Sequence, residues 1–252
     1  MTRPLALITG GLHRIGAAIG AALAGAGYDL ALHSGHGGDM DGGLRTAADA
    51  AGAQIFLVTA DLARRGAADE LFDEVVKLAG RAPIALVNNA AMFGDGDGWA
   101  MTEDALHDHM AVNMVAPVRL TQRMAIAARD GATRASIVHI LDQRVFQPVA
   151  DQAAYTMAKQ ALWQALRTQA RSLAPHARVN GVAPGLTLPA PDYAPGQMER
   201  MAAKMPLERL ASPTDIADAV LFLLRADNIT GQSICVDGGA NLVGWPRDFA
   251  FL

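Results

Sequence analysis

Short apolar runs alternate with longer amphipathic ones along the whole chain. Leu5-Ala6-Leu7-Ile8-Thr9 is apolar almost throughout and ends at a glycine, which predicts a parallel strand buried on both faces. Residues 14–27 follow with small side chains at helical spacing, Ala17, Ala18, Gly20, Ala21 and Ala24, so a helix there can lie close to a sheet. The same reading predicts strands over 28–33, 54–59, 84–88, 136–141, 178–183 and 232–237. Helices are predicted over 44–51, 67–78, 102–129, 151–174 and 212–224. Thr102 and Ser212 stand where helix N-caps belong, and Pro213 takes a first helical position. Residues 34–43 read as a loop, 94–98 as a flexible loop, and 186–196 as a candidate substrate loop reaching to about residue 206.

This order means βαβ units with right-handed crossovers. The expectation is a single α/β domain spanning 1–252, a doubly wound parallel sheet of about seven strands with helices on both faces. Ligands of such sheets bind at the carboxyl ends of the strands. The candidate chemistry falls at that edge.

Composition narrows the class. The 252 residues are 51% hydrophobic and 18% charged, enough for a large core, and the formal net charge is −4. No basic run points to nucleic acid or an anionic membrane, and no apolar run is long enough to span a bilayer. Nor is there a signal-peptide pattern at Met1-Thr2-Arg3-Pro4. The one cysteine, Cys235, fits a reducing cytosol and reads as a small buried hydrophobe, so a cytoplasmic protein is expected. No metal site is expected, because the seven histidines are scattered and His107 with His109 lack a third ligand nearby.

Gly10 and Gly16 bracket the turn from the first strand into the first helix. That turn suits a dinucleotide pyrophosphate, whose charge meets backbone N–H groups and the helix N-terminus. The second strand ends His33-Ser34-Gly35-His36 with no acid before Asp39, and Arg14 lies in the glycine-rich loop. A ribose 2′-phosphate needs cations and hydroxyls, so NADP(H) is favoured over NAD(H). Asn88-Asn89-Ala90 closes the fourth strand, and Asn113 lies inside a predicted helix, where asparagine is mildly unfavourable. Tyr155 and Lys159 are four apart on one helix face. A phenol beside an ammonium has its anion favoured, which predicts a lowered pKa and a usable acid. Asp142 closes the fifth strand beside them, and Pro184-Gly185 closes the sixth.

With these pieces in place, the chain resembles the short-chain dehydrogenase/reductase superfamily over essentially its whole length. The resemblance rests on Thr9-Gly10 to Gly16, Asp61, Asn88-Asn89-Ala90, Asn113, Tyr155-x-x-x-Lys159, Pro184-Gly185 and Val236-Asp237-Gly238-Gly239. It implies a Rossmann-like fold, a nicotinamide cofactor and a homotetramer paired through the helices 102–129 and 151–174. It makes Tyr155 the proton donor and gives Lys159 the nicotinamide ribose. Asn113 becomes the holder of a relay water, and Asp61 with Leu62 the contacts to adenine. The same resemblance places Gly10, Arg14, Ile15, Gly16, His33, Ser34, His36, Asn89, Ala90, Pro184 and Gly185 around the cofactor.

Two departures narrow it. Asp142 stands thirteen before the tyrosine where the superfamily has serine, and Arg14 replaces the middle glycine of the loop. Both are similar to the pteridine reductases and the bacterial dihydromonapterin/dihydrofolate reductases. Arg14, Phe93, Asp142, Tyr155 and Leu186 then become the expected substrate contacts, with Phe93 stacking a pterin against the nicotinamide. Ala91 departs from the serine that often contacts the pterin there.

Ketone reduction builds negative charge on oxygen, which a carboxylate opposes. C=N reduction proceeds toward a protonated nitrogen, which a carboxylate stabilises. Asp142 thus favours dihydropterin-type substrates. The bland reading of Asp142 is a spectator that caps a loop; the alternative functions are a carbonyl or 3-oxoacyl thioester reductase of the same superfamily and a non-catalytic cofactor-binding sensor or scaffold.

Overall fold

All seven strands run parallel, in the order β3-β2-β1-β4-β5-β6-β7. The computed structural model describes residues 3–94, 99–189 and 193–252. In chain order the elements are β1 (Leu5–Thr9), α1 (Arg14–Gly25), β2 (Asp29–Ser34), α2 (Gly42–Ala51), β3 (Ile55–Thr59), α3 (Ala67–Ala79) and β4 (Ala85–Asn88). They continue with α4 (Glu103–Met110), α5 (Ala116–Asp130), β5 (Ala135–Ile140), α6 (Ala153–Ser172), β6 (Ala177–Pro184), α7 (Gln197–Ala202), α8 (Pro213–Arg225) and β7 (Ser233–Val236). Most of the loop expected at 94–98 and the stretch 190–192 of the expected substrate loop lie outside the described residues.

The unbroken apolar strands have their explanation in two cores. On one face Leu5, Leu7, Leu86, Ile137 and Val179 meet α3, α5 and α6. On the other, Ala6, Ile8, Val87, Val138 and Val182 meet α1, α2 and α8. Successive strand residues point to opposite faces, so a sheet covered on both sides needs apolar residues at every position. Strand order reverses between β1 and β4, since the chain winds outward from β1 to β3 and then returns to the other side. That switch point opens the crevice in which a ligand can sit.

Two elements differ from expectation. The helix predicted to run unbroken from 102 is interrupted by a π-helical segment, Ala111–Val115, between α4 and α5. Asn113 lies in it and is fully buried. A π turn inserts an extra residue and so re-aims side chains, a feature that periodicity does not register. The second is α7, a six-residue helix inside the expected substrate loop. It is too short for a helical period to stand out among the prolines.

Candidate active site

The glycine-rich turn is held from beneath. Gly10 has φ +60°, and a Cβ on Gly16 would lie 2.0 Å from the Gly10 carbonyl oxygen, so only glycine fits there. Asn89 Nδ2 donates to the Gly10 carbonyl at 2.8 Å and to that of Thr9 at 3.1 Å. Thr9 Oγ1 accepts from the backbone N–H groups of Asn89 and Ala90, at 3.0 Å each. His13, the N-cap residue of α1, makes no side-chain cap. The first-turn N–H groups of this helix are therefore available to an anion.

Arg14 opens α1 with φ 54°, the left-handed region in which a non-glycine residue is strained. The superfamily's glycine would sit there without that cost, so a side chain is kept against a conformational penalty of order 1–2 kcal/mol. Arg14 and Ile15 line both a cleft of about 340 Å³ beside Ser34 and Ala90 and the larger cleft of about 410 Å³ that follows it.

His33 has a different job from that of a phosphate-binding cation. It is 2% exposed; its Nε2 meets the Ala60 carbonyl at 2.8 Å and its Nδ1 accepts from Gly10 N–H at 3.3 Å. Burial pulls its pKa below the ordinary value, which keeps the ring neutral. It braces the turn, and among the described residues the other basic and hydroxyl side chains lining this cleft are His13, Arg14 and Ser34, with exposed His36 two residues beyond Ser34. Ser34 Oγ donates to the Gly37 carbonyl at 2.9 Å. Asp61 is exposed beyond β3, with Oδ1 accepting from Ala63 N–H at 3.0 Å, whereas the Leu62 side chain joins the core.

The larger cleft gathers Phe93, Asp142, Tyr155, Lys159, Gly185 and Leu186. Tyr155 Oη donates to Asp142 Oδ2 at 2.9 Å. Asp142 Oδ1 accepts from Arg144 N–H at 2.9 Å and caps the 3₁₀ turn Gln143–Val145. The carboxylate therefore both caps a loop and holds the phenol, one oxygen for each. The Phe93 ring stands edge-to-face on Tyr155, with centroids 4.9 Å apart, and is 54% exposed. An open aromatic face beside a phenol suits a flat ring. Pro184 and Gly185 also line this cleft, and a Cβ on Gly185 would come within 2.7 Å of Asp237 Cβ.

Lys159 Nζ donates to the Ile140 carbonyl at 2.7 Å and lies 5.7 Å from the Tyr155 ring centroid. Burial brings its pKa down to about 8. The phenol moves opposite to the sequence expectation. Burial first and the Asp142 charge second hold Tyr155 well above its usual value, and Arg144 only partly offsets them. The charge in direct contact with the hydroxyl is a carboxylate rather than an ammonium, so the protonated phenol is the favoured form.

Asn113 does not line the cleft and reaches this group through His109, whose ring lies 6.3 Å from that of Tyr155. Its Oδ1 accepts from Met92 N–H and its Nδ2 donates to Met92 O, both at 2.9 Å, and Nδ2 also lies 3.2 Å from His109 Nδ1. It clamps the strand-end segment that carries Phe93. Asn88 turns into the core instead, 3.1 Å from His139 Nδ1.

Sequence reasoning did not find Arg144, His109, Tyr193, Asp248 or Phe249. His109 stacks 6.3 Å from the Tyr155 ring, and the other four line the cleft. None sits in a motif, and Asp248 and Phe249 arrive from the C-terminal tail.

Comparison with known proteins matches residues 11–241 to a family model described as enoyl-(acyl carrier protein) reductase. The chain is a short-chain dehydrogenase/reductase. Within this superfamily it falls with the pteridine reductase-like members. FolM alternative dihydrofolate reductase 1 from Brucella canis, solved in complex with NADP, is 34% identical, with a TM-score of 0.87 over 96% of this chain and 95% of that one. Pteridine reductase 1 of Leishmania tarentolae is 33% identical over 96% of this chain and 97% of its own length. A 3-oxoacyl-(acyl-carrier-protein) reductase FabG of Staphylococcus epidermidis is 31% identical over 93% and 97%. As a superfamily member the chain is an oxidoreductase.

Proposed function

We propose that this oxidoreductase uses NADPH to reduce a C=N bond of a dihydropterin-type substrate. The observation that carries the reading is the 2.9 Å hydrogen bond from the Tyr155 hydroxyl to the Asp142 carboxylate, under the open ring of Phe93. The NADP complex of the Brucella relative supports the cofactor, as does the uncapped α1 N-terminus beside Arg14. Gly10, Gly16 and Ala90 would line the pyrophosphate, and Arg14, Ser34 and His36 the 2′-phosphate. Lys159, Pro184 and Gly185 would lie beside the nicotinamide and its ribose. The cofactor supplies the hydride.

The chain's own residues manage the proton. Burial keeps the phenol protonated, so Tyr155 holds the proton at Oη. As the ring carbon accepts hydride, the C=N π pair moves onto nitrogen. That nitrogen becomes a far stronger base than a phenolate, so a phenol of raised pKa still transfers. Asp142 stabilises positive charge on a nitrogen that is protonated early. The same carboxylate would oppose the oxyanion of a ketone.

A second reading, reduction of a 3-oxoacyl thioester, is favoured by the likeness to the Staphylococcus reductase. The test is kcat/KM with NADPH on dihydrobiopterin, dihydromonapterin, dihydrofolate and an acetoacetyl thioester. Dihydropterin turnover lost in Tyr155→Phe, with NADPH binding retained, is the expected outcome. A thioester rate that exceeds every pterin rate refutes the pterin reading and favours the second.

A further inference from the structure

The C-terminal tail contributes a charge to the reductive site. Arg144 is only 4% exposed. Its Nη1 donates to Gln152 Oε1 at 2.7 Å, its Nη2 pairs with the Asp248 carboxylate, and its Nε lies 3.7 Å from Asp142 Oδ1. The guanidinium also lies 5.4 Å from the ring centroids of both Phe93 and Tyr155. One cation thus lies against both groups of the proton step, Asp142 and Tyr155, and against the Phe93 ring beside them. A buried guanidinium is tolerated only when paired, and most of that pairing comes from Asp248.

Asp248 is held in turn. Its N–H donates to Asp151 Oδ2 at 2.7 Å, and Arg247 pairs with Asp151 Oδ1 at 3.0 Å. Gln197 Nε2 donates to the Phe249 carbonyl at 2.8 Å, and Phe249 packs on Trp245 with centroids 5.2 Å apart. The tail therefore arrives by specific contacts to the segment before α6 and to α7.

We propose that Asp248 holds Arg144 as a positioning residue for Asp142 and Tyr155, so that docking of the tail completes the reductive site. Without Asp248 the guanidinium keeps Asp142 as its nearest carboxylate and closes the 3.7 Å gap, drawing that carboxylate off the phenol. The inference rests on Tyr155 and Asp142 as the proton-handling pair and is independent of which substrate they serve.

The test uses the full-length protein with NADPH, dihydrobiopterin and an acetoacetyl thioester. In Asp248→Asn, kcat on whichever substrate the wild type reduces falls ~10²-fold, the cost of a misplacement of about 1 Å, while NADPH binding is unchanged. Asp248→Glu recovers much of kcat. Arg144→Lys does not, because an ammonium lacks the planar fork that reaches two partners while stacking on two rings. The paired Arg144→Met/Asp248→Leu change recovers the melting temperature without kcat.

A readout without turnover is the phenolate absorbance of Tyr155, taken as the difference from Tyr155→Phe. Among the described residues, the charged or titratable groups around this phenol are Asp142, Arg144, Lys159, Asp248 and His109, with Arg14 and Tyr193 on the same cleft. Losing the Asp248 charge and loosening Asp142 both favour the phenolate, so Asp248→Asn titrates at lower pH than the wild type. An unchanged titration, an unchanged kcat in Asp248→Asn, or recovery of kcat in the apolar pair overturns the proposal. Absence of pterin turnover with thioester turnover intact overturns only the substrate reading.

Discussion

Replacing Asp142 by serine tests the substrate assignment most directly. The carboxylate makes two hydrogen bonds of 2.9 Å, from Tyr155 Oη and from Arg144 N–H, and faces the Arg144 guanidinium at 3.7 Å. A serine hydroxyl is one atom shorter and has a single oxygen, so it keeps the cap or the phenol but not both. The bond lost to the phenol is charge-assisted, worth about 1.5–3 kcal/mol. At about 1.4 kcal/mol per tenfold, that is a fall of roughly 10- to 150-fold in kcat on a dihydropterin. Any weak activity on a small ketone should hold or rise, because the charge opposing the oxyanion is gone. Asp142→Asn is the companion change: its one amide oxygen can keep the cap, while the NH2 that then faces Tyr155 removes both the charge and the acceptor for the phenol. The assay is kcat/KM on a dihydropterin and a small ketone for wild type and both variants, with melting temperatures to exclude misfolding. If the pterin rate is unchanged, or if both rates fall in parallel, Asp142 acts only as the cap of the 3₁₀ turn and the pterin assignment loses its physical support.

Arg14→Gly removes the cation and also relieves a left-handed φ of 54°. It should narrow the preference for NADPH over NADH while leaving stability equal or up to ~1 kcal/mol higher; equal kcat/KM for the two cofactors in the wild type refutes the role. His139 is fully buried, and burial lowers its pKa from 6.5 to about 3. The unfolded chain takes up that proton first, so stability is complete above pH 6.5 and falls as pH drops toward 3, by up to about 1.4 kcal/mol per unit. Urea unfolding of wild type and His139→Gln at pH 7, 6 and 5 should show a shallower pH slope in the variant, and parallel slopes contradict the assignment. A homotetramer is expected by light scattering, because Val115, Ile126 and Met157 on the α5 and α6 side are 39–47% exposed; a monomer at micromolar concentration speaks against it.

How much of this was legible beforehand depends on whether the signal is local. Strand residues such as Leu5 to Thr9 sit between two helical layers, so an unbroken apolar run announces a parallel sheet. Right-handed βαβ crossovers then make the sheet parallel, while the strand order and its reversal between β1 and β4 come from the structure. Gly10, Gly16, Tyr155 and Lys159 are legible because backbone approach and the helical period are properties of a few consecutive residues. Even Asp142 beside Tyr155 is a strand end meeting the next helix. Three other things depend on contacts between distant parts of the chain. The π turn carries Asn113, whose amide satisfies the Met92 backbone 21 residues away. The raised pKa of Tyr155 comes from burial first and the Asp142 carboxylate second; the sequence places Asp142 beside the phenol, but burial carries no local signature, and Lys159 alone predicts a lowered value. Arg144 finds Asp248 across 104 residues, and no periodicity carries information over that span. Local sequence determines which elements form and which residues they present, because propensity, capping and side-chain period act over a turn or two. Which charges from distant parts of the chain meet inside a low-dielectric cleft is decided by packing, and here that packing sets the environment of the proton.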